Sequence, residues 1–455
     1  MNELTEMTEN NYSNIVVAID LGSRNIRSMI ARKGEDGRLE VLFAKKTTSV
    51  GIENGIVINV DEVSFQIKKI IQELRNFVNN LLKNEKEPNV VYDIQKVYVG
   101  LHGKSIHGDL NEISRSFGSK ITFQDMEMVE AENRRMTLSP GRRIVDVIPF
   151  DYIIDQESSV DNPIGCVCQN LRSRFLNVSA DNRVEDNLRR CFENVNESVC
   201  KDPSVNVSCE PMFVLHSRYM ADAVLSQEQK EVGCMLLDFG AQTISMSIYH
   251  EKKLRYLHVF NFGSDTITKD IASMQLPWDV SEKLKRSFGS AMPGLASPVI
   301  VDLPNGRQLD SNILCNTIES RMRDIMQRVN AAIDLSGYRS VLDSIVLVGG
   351  GANLKHLIEF VETETGITCR FGDIRVLAQN TDAKYAAIDN ASIMGIMMAA
   401  ETGSVVSIKK EETVAQPAVK PKNKVKKNPM KSLFTLFGNI GENIGNVFDD
   451  PDDKE

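Results

Sequence analysis

The 455-residue chain has no basic excess, no CxxC pair, no apolar leader and no apolar run long enough to cross a bilayer. Each absence removes a class of protein. A net charge of -9, from 53 Lys and Arg against 62 Asp and Glu, excludes a dedicated nucleic-acid binder, because neutralising phosphates takes a concentrated basic face. The eight cysteines are scattered. Their closest pair, Cys166-x-Cys168, reads as part of an alternating strand and suits neither a redox site nor a zinc knuckle, so reduced thiols are expected. The six histidines, His102, His107, His216, His250, His258 and His356, show no ligand spacing with cysteine or carboxylate and give no expectation of an imidazole-built metal site. Residues 1–12 are polar and acidic, so they are not expected to direct export. Any membrane contact is expected to lie along the surface. What is present, 42% hydrophobic and 25% charged residues, suffices for two or more domains.

A structural repeat organises the chain. Residues 15–43, IVVAIDLGSRNIRSMIARKGEDGRLEVLF, and 233–260, GCMLLDFGAQTISMSIYHEKKLRYLHVF, share one layout of apolar strand, Asp-x-Gly turn, second strand, charged turn and third strand. Asp20, Gly22, Ile26 and Ile30 match Asp238, Gly240, Ile244 and Ile248 in spacing, which predicts two related halves. Helical sequence follows each. Asp61 is the expected cap of a helix whose apolar face is Val63, Ile67, Ile70, Ile71, Leu74, Val78 and Leu81. Residues 311–337 read as a long helix ended by Gly337, and 343–366 as a buried strand, Gly349-Gly350-Gly351, and a helix opening near Asn353. The fold class is α/β, mixed sheets covered by helices.

These turns have a chemical use. Glycine lets backbone amides approach a phosphate, and a neighbouring carboxylate can hold a hydrated Mg²⁺ bridging phosphate oxygens. Two such turns, helped by Ser23, Asn25, Gln242 and Thr243, could grip a polyphosphate from both sides. The triple glycine before a helix would let a ligand lie on the backbone. Each motif alone also reads as an ordinary tight turn.

In their order, Asp20-x-Gly22, Asp238-x-Gly240-x-x-Thr243 and Gly349-Gly350-Gly351 resemble the two phosphate motifs and the adenosine motif of the actin, Hsp70 and sugar-kinase ATPase superfamily. Within it the chain resembles the FtsA family of bacterial cell-division proteins over about residues 14–402. Residues 47–63, TTSVGIENGIVINVDEV, are similar to the family's segment after the first hairpin, and 147–165, VIPFDYIIDQESSVDNPIG, to its specific IPxxYxID…NPxG stretch. Residues 281–291, SEKLKRSFGSA, look like its ribose-contacting helix.

The resemblance implies an actin-like, duplicated ribonuclease H-like ATPase fold. ATP would lie on Asp20, Gly22, Ser23, Asn25, Asp238, Gly240, Gln242, Thr243, Glu282, Lys285, Gly349, Gly350 and Gly351, with Mg²⁺ held through Asp20 and Asp238 by way of water. Ala241 and Gln242 replace two family glycines and Ser245 replaces a second aspartate, so at most slow ATPase activity is expected. No residue is assigned a catalytic role; Asp222 is the nearest candidate for orienting water. The implied organisation is a disordered 1–13, subdomain 1A at 14–93 and 181–217, the inserted subdomain 1C at 94–180, 2A at 218–252 and 325–402, and 2B at 253–324. A disordered basic linker at 403–429, a membrane-targeting helix at 430–448 and an acidic tail at 449–455 complete it.

The last segments also speak for themselves. Lys409, Lys410, Lys420, Lys422, Lys424, Lys426, Lys427 and Lys431 oppose Glu411 and Glu412. On a helix Leu433, Phe434, Phe437, Ile440, Ile444, Val447 and Phe448 form one apolar stripe, suited to an anionic lipid surface. Docking on the protein's own body or on a partner is the other reading of that stripe. Gly438, Gly441, Gly445 and the acidic tip weaken a single copy's hold. The family resemblance further implies self-assembly into filaments on the cytoplasmic face of the inner membrane at the septum. It implies capture of the FtsZ C-terminal peptide by Arg321 and Arg307, and other division proteins docking on 1C. A small-molecule kinase or phosphatase of the same superfamily is the alternative. An Hsp70-like chaperone needs a peptide-binding β-domain for which the stretch after residue 402 is too short.

Overall fold

The computed structural model describes residues 12–83, 90–199, 208–303 and 306–409. The apolar stripe from Leu433 to Phe448, the acidic tail and the lysine-rich segment from residue 410 lie outside the described residues.

Ile15–Leu21 turns back antiparallel on Asn25–Lys33, which pairs with Leu39–Thr48. On the other side of Ile15–Leu21, Lys96–Leu101 and then Glu210–Leu215 add in parallel. The second half repeats this strand for strand. Cys234–Phe239 pairs antiparallel with Ile244–His250, and that strand with Lys253–Phe260. Ser344–Val348 and Thr368–Phe371 add in parallel on the far side. Even an irregularity recurs, since the register slips between Ile30 and Ala31 in one half and between Ile248 and Tyr249, the matching place, in the other. The central strands Ile15–Leu21 and Ser344–Val348 are buried almost throughout because each sheet is covered on both faces.

Helix Val60–Leu82 covers the first sheet with Val63, Ile67, Ile70, Ile71, Leu74 and Val78, each burial stabilising by about 1.5–3 kcal/mol. Two details differ from the sequence expectation. Asn59 is the cap, its side-chain oxygen accepting the Glu62 amide at 3.2 Å, and Asp61 instead supplies negative charge within the first turn. Leu81 is 41% exposed, because the helix runs past its last buried contact at Val78. Helix Ser311–Ser336 ends as expected at Gly337, whose φ of 76° is the left-handed conformation of a helix stop. After the triple glycine, Gly350–Asn353 forms a 3-10 turn and the α-helix opens only at Leu357.

Between Lys96–Leu101 and Glu210–Leu215 the chain inserts a separate layer. His107–Ser116, Asn170–Asp181, Arg142–Ile154 and Ser158–Val160 form adjoining strands. They enclose a small core of Ile121, Val129, Val147, Tyr152, Leu171 and Phe175 with helix Phe123–Asn133. This layer extends the second sheet to nine strands through one antiparallel pair, His107 with His258. Cys166 and Cys168 fall in a turn rather than a strand, because Pro163 and Gly165 bend the chain and the Cys166 amide bonds back to the Pro163 carbonyl at 3.0 Å. Among the described residues no cysteine is in a disulfide, and burial pushes the Cys209 and Cys369 thiols up to about 12.

The expected disorder fails at both of its inner edges. Val405–Lys409 is a strand on Val90–Ile94, because Val405, Val406 and Ile408 favour strand structure within a segment judged by its lysines. Tyr12 packs edge-on against Tyr92 and its hydroxyl lies 3.1 Å from Ser407 Oγ. Among the described residues no helix is long and apolar enough to cross a membrane.

Candidate functional site

The two Asp-x-Gly turns are built alike. In each, the glycine lies so close to the carbonyl three residues on that a Cβ would meet it, at 2.8 Å from Asn25 O for Gly22 and 2.7 Å from Thr243 O for Gly240. Asn25 and Thr243 stand half-buried at the head of each return strand. Ser23 Oγ accepts the Gly55 amide at 2.9 Å, which pins the loop after the first hairpin to its turn. Gln242 Oε1 accepts the Asn54 amide at 2.7 Å, so this side chain of the second turn ties the two halves together.

The first surprise lies beside the aspartates. Asp20 is buried, and His102 Nε2 lies 2.7 Å from its Oδ1, a close pairing of imidazole and carboxylate. His102 stacks on His216 with ring centroids 3.8 Å apart, and His216 Nε2 faces Asp238 Oδ2 at 3.5 Å. The Nδ1–H of His216 donates to the Leu101 carbonyl at 3.0 Å. A line of Asp20, His102, His216 and Asp238 therefore joins the two turns. Burial alone would raise the Asp20 carboxyl, but His102, Arg27 and His216 outweigh it and hold it at about 2. Burial pushes His102 down, helped by His216 beside it. Burial also opposes charge on His216, yet Asp238 prevails and raises it.

Sequence reasoning passed over both histidines because they are far apart in the chain. Each directly follows a strand of the first sheet, Lys96–Leu101 or Glu210–Leu215. Parallel pairing of Leu101 with Leu215 puts the next residues, His102 and His216, side by side.

Further ties cross between the halves. Arg24, in the first turn, bonds Asp265 at 2.5 Å and lies over the Trp278 ring, and Arg27 bonds Asp389 at 2.7 Å. The second turn is anchored on its own side: Gly240 O accepts the Ser264 amide, and Ser264 O accepts Lys285 Nζ at 3.1 Å. Lys285 is buried and also bonds Glu282 at 2.7 Å, while Glu282 accepts the Thr268 hydroxyl at 2.6 Å. Burial lowers the Lys285 ammonium; it opposes ionisation of Glu282, whose carboxyl Lys285 nevertheless holds below its usual range. Gly349 packs on the second turn, where a Cβ would lie 2.4 Å from Asp238 Oδ1, and Gly351 packs on the Phe239 ring. Gly350 is exposed, with open space where its side chain would be.

Two domains repeating one five-stranded sheet, each offering an Asp-x-Gly turn to the cleft between them, define an actin-like fold. The solved PilM-PilN type IV pilus biogenesis complex shares it, with a TM-score of 0.59 and 14% identity over 84% of this chain and 98% of that chain. A family model for "Cell division protein FtsA" matches residues 235–391, and one for "SHS2 domain inserted in FTSA" matches the inserted layer at 103–179. The chain belongs to the FtsA family of cell-division proteins. FtsA of Streptococcus pneumoniae serotype 2 (strain D39) is 24% identical over 358 residues, covering 77% of this chain and 73% of its own. FtsA of Porphyromonas gingivalis (strain W83) is 27% identical over 352 residues, covering 75% and 69%.

The remaining candidates lie elsewhere. Arg321, on Ser311–Ser336, grips Asp270 through two nitrogens at 2.5 and 2.9 Å and reaches Asp324 at 3.1 Å. Arg307 is exposed beside the small hairpin of Ile300–Asp302 and Gln308–Asp310. Asp222 bonds Lys230. For a nucleotide the residues fit: paired glycine turns and an open backbone at Gly350. A magnesium ion held through water would fit beside Asp238, which keeps 16% of its side chain exposed, rather than beside Asp20, which is 4% exposed with His102 against its Oδ1. Among the described residues no three His, Cys, Asp or Glu side chains are grouped to hold a metal.

Proposed function

We infer that this protein is a membrane-tethering scaffold of cell division. It binds ATP between the two Asp-x-Gly turns, assembles into filaments on the cytoplasmic face of the inner membrane, and ties FtsZ filaments to that surface at the septum. The observation that carries this reading is the pair of geometrically equal turns flanking one cleft in a chain of the FtsA family. Asp20, Gly22, Ser23, Asn25, Asp238, Gly240, Gln242 and Thr243 form the phosphate end. Gly349, Gly350 and Gly351 form the floor for the base, and Glu282 and Lys285 brace the second turn from behind. ATP acts as a structural ligand that favours the closed, polymerising state. Asp222 is engaged by Lys230, which supports a scaffold over a fast hydrolase.

Subdomain 2B is the proposed FtsZ site. Leu295, Val299, Ile300 and Ile313 are exposed around Arg307, a surface suited to an apolar, acidic peptide. Arg321 adds charge from the same helix as Ile313 and holds Asp270. The inserted layer is the proposed dock for later division proteins, and residues 430–448 the lipid contact.

Co-sedimentation with anionic vesicles, with and without ATP, tests the tether. The full chain is expected to pellet and to form filaments with ATP; a chain lacking residues 430–455 is expected to stay in solution and still bind ATP. A truncated chain that still pellets overturns the membrane reading. Arg321→Glu is expected to abolish binding of an FtsZ tail peptide while the chain stays folded, its melting temperature falling modestly because Asp270 and Asp324 lose their partner.

A further inference from the structure

We propose that Arg24 is a phosphate-binding residue: held across the cleft by Asp265 and the Trp278 ring, its guanidinium meets the phosphate chain of a bound nucleotide with the N–H groups that Asp265 leaves free. The inference rests on the nucleotide reading above and adds a cation to the phosphate end of that same site.

Placement comes first. Arg24 belongs to the first turn, between Ser23, which pins Gly55, and Asn25. Its Nη2 bonds Asp265 Oδ1 at 2.5 Å. Asp265 lies in the first turn of helix Ser264–Ala272, where its amide donates to Ala241 O at 2.8 Å and the Ser264 amide donates to Gly240 O at 3.0 Å. One end of the tie is thus in the first Asp-x-Gly turn and the other rests against the second. The guanidinium therefore bridges the two turns at the end of the cleft where a phosphate chain would lie.

Capacity and charge follow. A guanidinium carries several N–H donors in a planar fork, and among the described residues the bond to Asp265 is the one hydrogen bond this side chain makes. The Trp278 ring, its centroid 5.0 Å from the guanidinium carbon, steadies the group through its face and so leaves the N–H edge for a second anion. With 35% of its side chain exposed, Arg24 is within reach of a ligand. The neighbouring cations are committed more deeply. Arg27 is 14% exposed and held by Asp389, and the buried Lys285 ammonium bonds Glu282, Thr268 and Ser264 O. Burial pushes His102 toward its neutral form. A polyphosphate set between the Asp20 and Asp238 carboxylates needs positive charge, and a guanidinium, ionised at every physiological pH, supplies it.

The test is the affinity for ATP in millimolar magnesium, measured by calorimetry on the full natural chain, Arg24→Ala and Asp265→Asn. Arg24→Ala is expected to bind about tenfold more weakly. Asp265→Asn frees the guanidinium and removes a carboxylate from beside the phosphates, so it is expected to bind within about threefold of the natural chain or more tightly. A tie that only holds the halves together behaves otherwise, because breaking it from either end has the same effect; equal losses in the two variants overturn the inference. A loss below about threefold in Arg24→Ala also overturns it and leaves the nucleotide reading standing. Absence of ATP binding by the natural chain overturns both. Should Arg24→Ala melt below the assay temperature, Arg24→Gln takes its place in the same comparison.

Discussion

Asp20 and Asp238 end equivalent strands of a duplicated hairpin, yet what faces them differs residue by residue. Beside Asp20, the neighbouring parallel strand delivers His102; counting on from the pairs Ile19–Val99 and Leu237–Leu347, the equivalent place beside Asp238 is Gly350. An imidazole stands by each aspartate, but Asp20 is nearly enclosed, with 4% of its side chain exposed, whereas Asp238 keeps 16% exposed beside the open backbone at Gly350. Arg24 carries the first turn across to Asp265, whereas Gln242 carries the second back to Asn54. Duplication preserved the backbone, which sheet pairing dictates. The side chains around it have been divided between a closed side and a side shaped to receive a ligand.

The largest expected effect is on the open side. Gly349→Ala puts a Cβ 2.4 Å from Asp238 Oδ1 at a φ of 89°, and is expected to cost about 3 kcal/mol or more in denaturant unfolding. Next comes the closed side. A carboxyl held at about 2 instead of its usual 3.8 contributes about 2 kcal/mol. Because the folded value is depressed, this contribution is present above pH 4 and lost as pH falls through 2. Asp20→Asn is therefore expected to lower stability at neutral pH and flatten the acid limb of a stability profile; an unchanged acid limb breaks the comparison.

Gly22→Ala and Gly240→Ala sharpen it from the other direction. Their carbonyl contacts are nearly identical, so thermal melts are expected to show about 1–2 kcal/mol for each and agreement within about 0.5 kcal/mol. The smallest effect belongs to the partly exposed tie from Arg24. Its removal as Arg24→Ala is expected to cost less than about 1 kcal/mol, and less still in high salt.

Much of this was legible in advance for a local reason. Strand, glycine turn and strand follow one another in 15–43 and 233–260, and hydrophobic period marks the helices, so the duplicated hairpins, the α/β class and Gly337 at its helix end could be read directly. Caps and ends depend on single side chains, and there Asn59 displaced Asp61 and Leu81 escaped burial. The line through His102 and His216 was illegible because parallel strand pairing, which no spacing rule encodes, brings residues 102 and 216 together. Gln242 was counted as a phosphate ligand from its position in a motif, and only the folded loop shows Asn54 as its partner. Strand Val405–Lys409 was hidden by the composition of its neighbours.

The inserted layer has a mechanical consequence. Its covalent connections both run to the first domain, through Leu101 and through the segment leading to Glu210–Leu215. Its noncovalent contacts reach both: Arg143 pairs with Asp186 on the first side, while the His107–His258 pair, Arg255 on the Phe150 carbonyl at 3.1 Å and Lys253 on Asp161 tie it to the second. It thus bridges the two halves, like a strap riveted to one plate and clipped to the other. Any widening of the cleft must either unfasten the clip or drag the strap sideways, and whatever rides on the strap feels the state of the cleft.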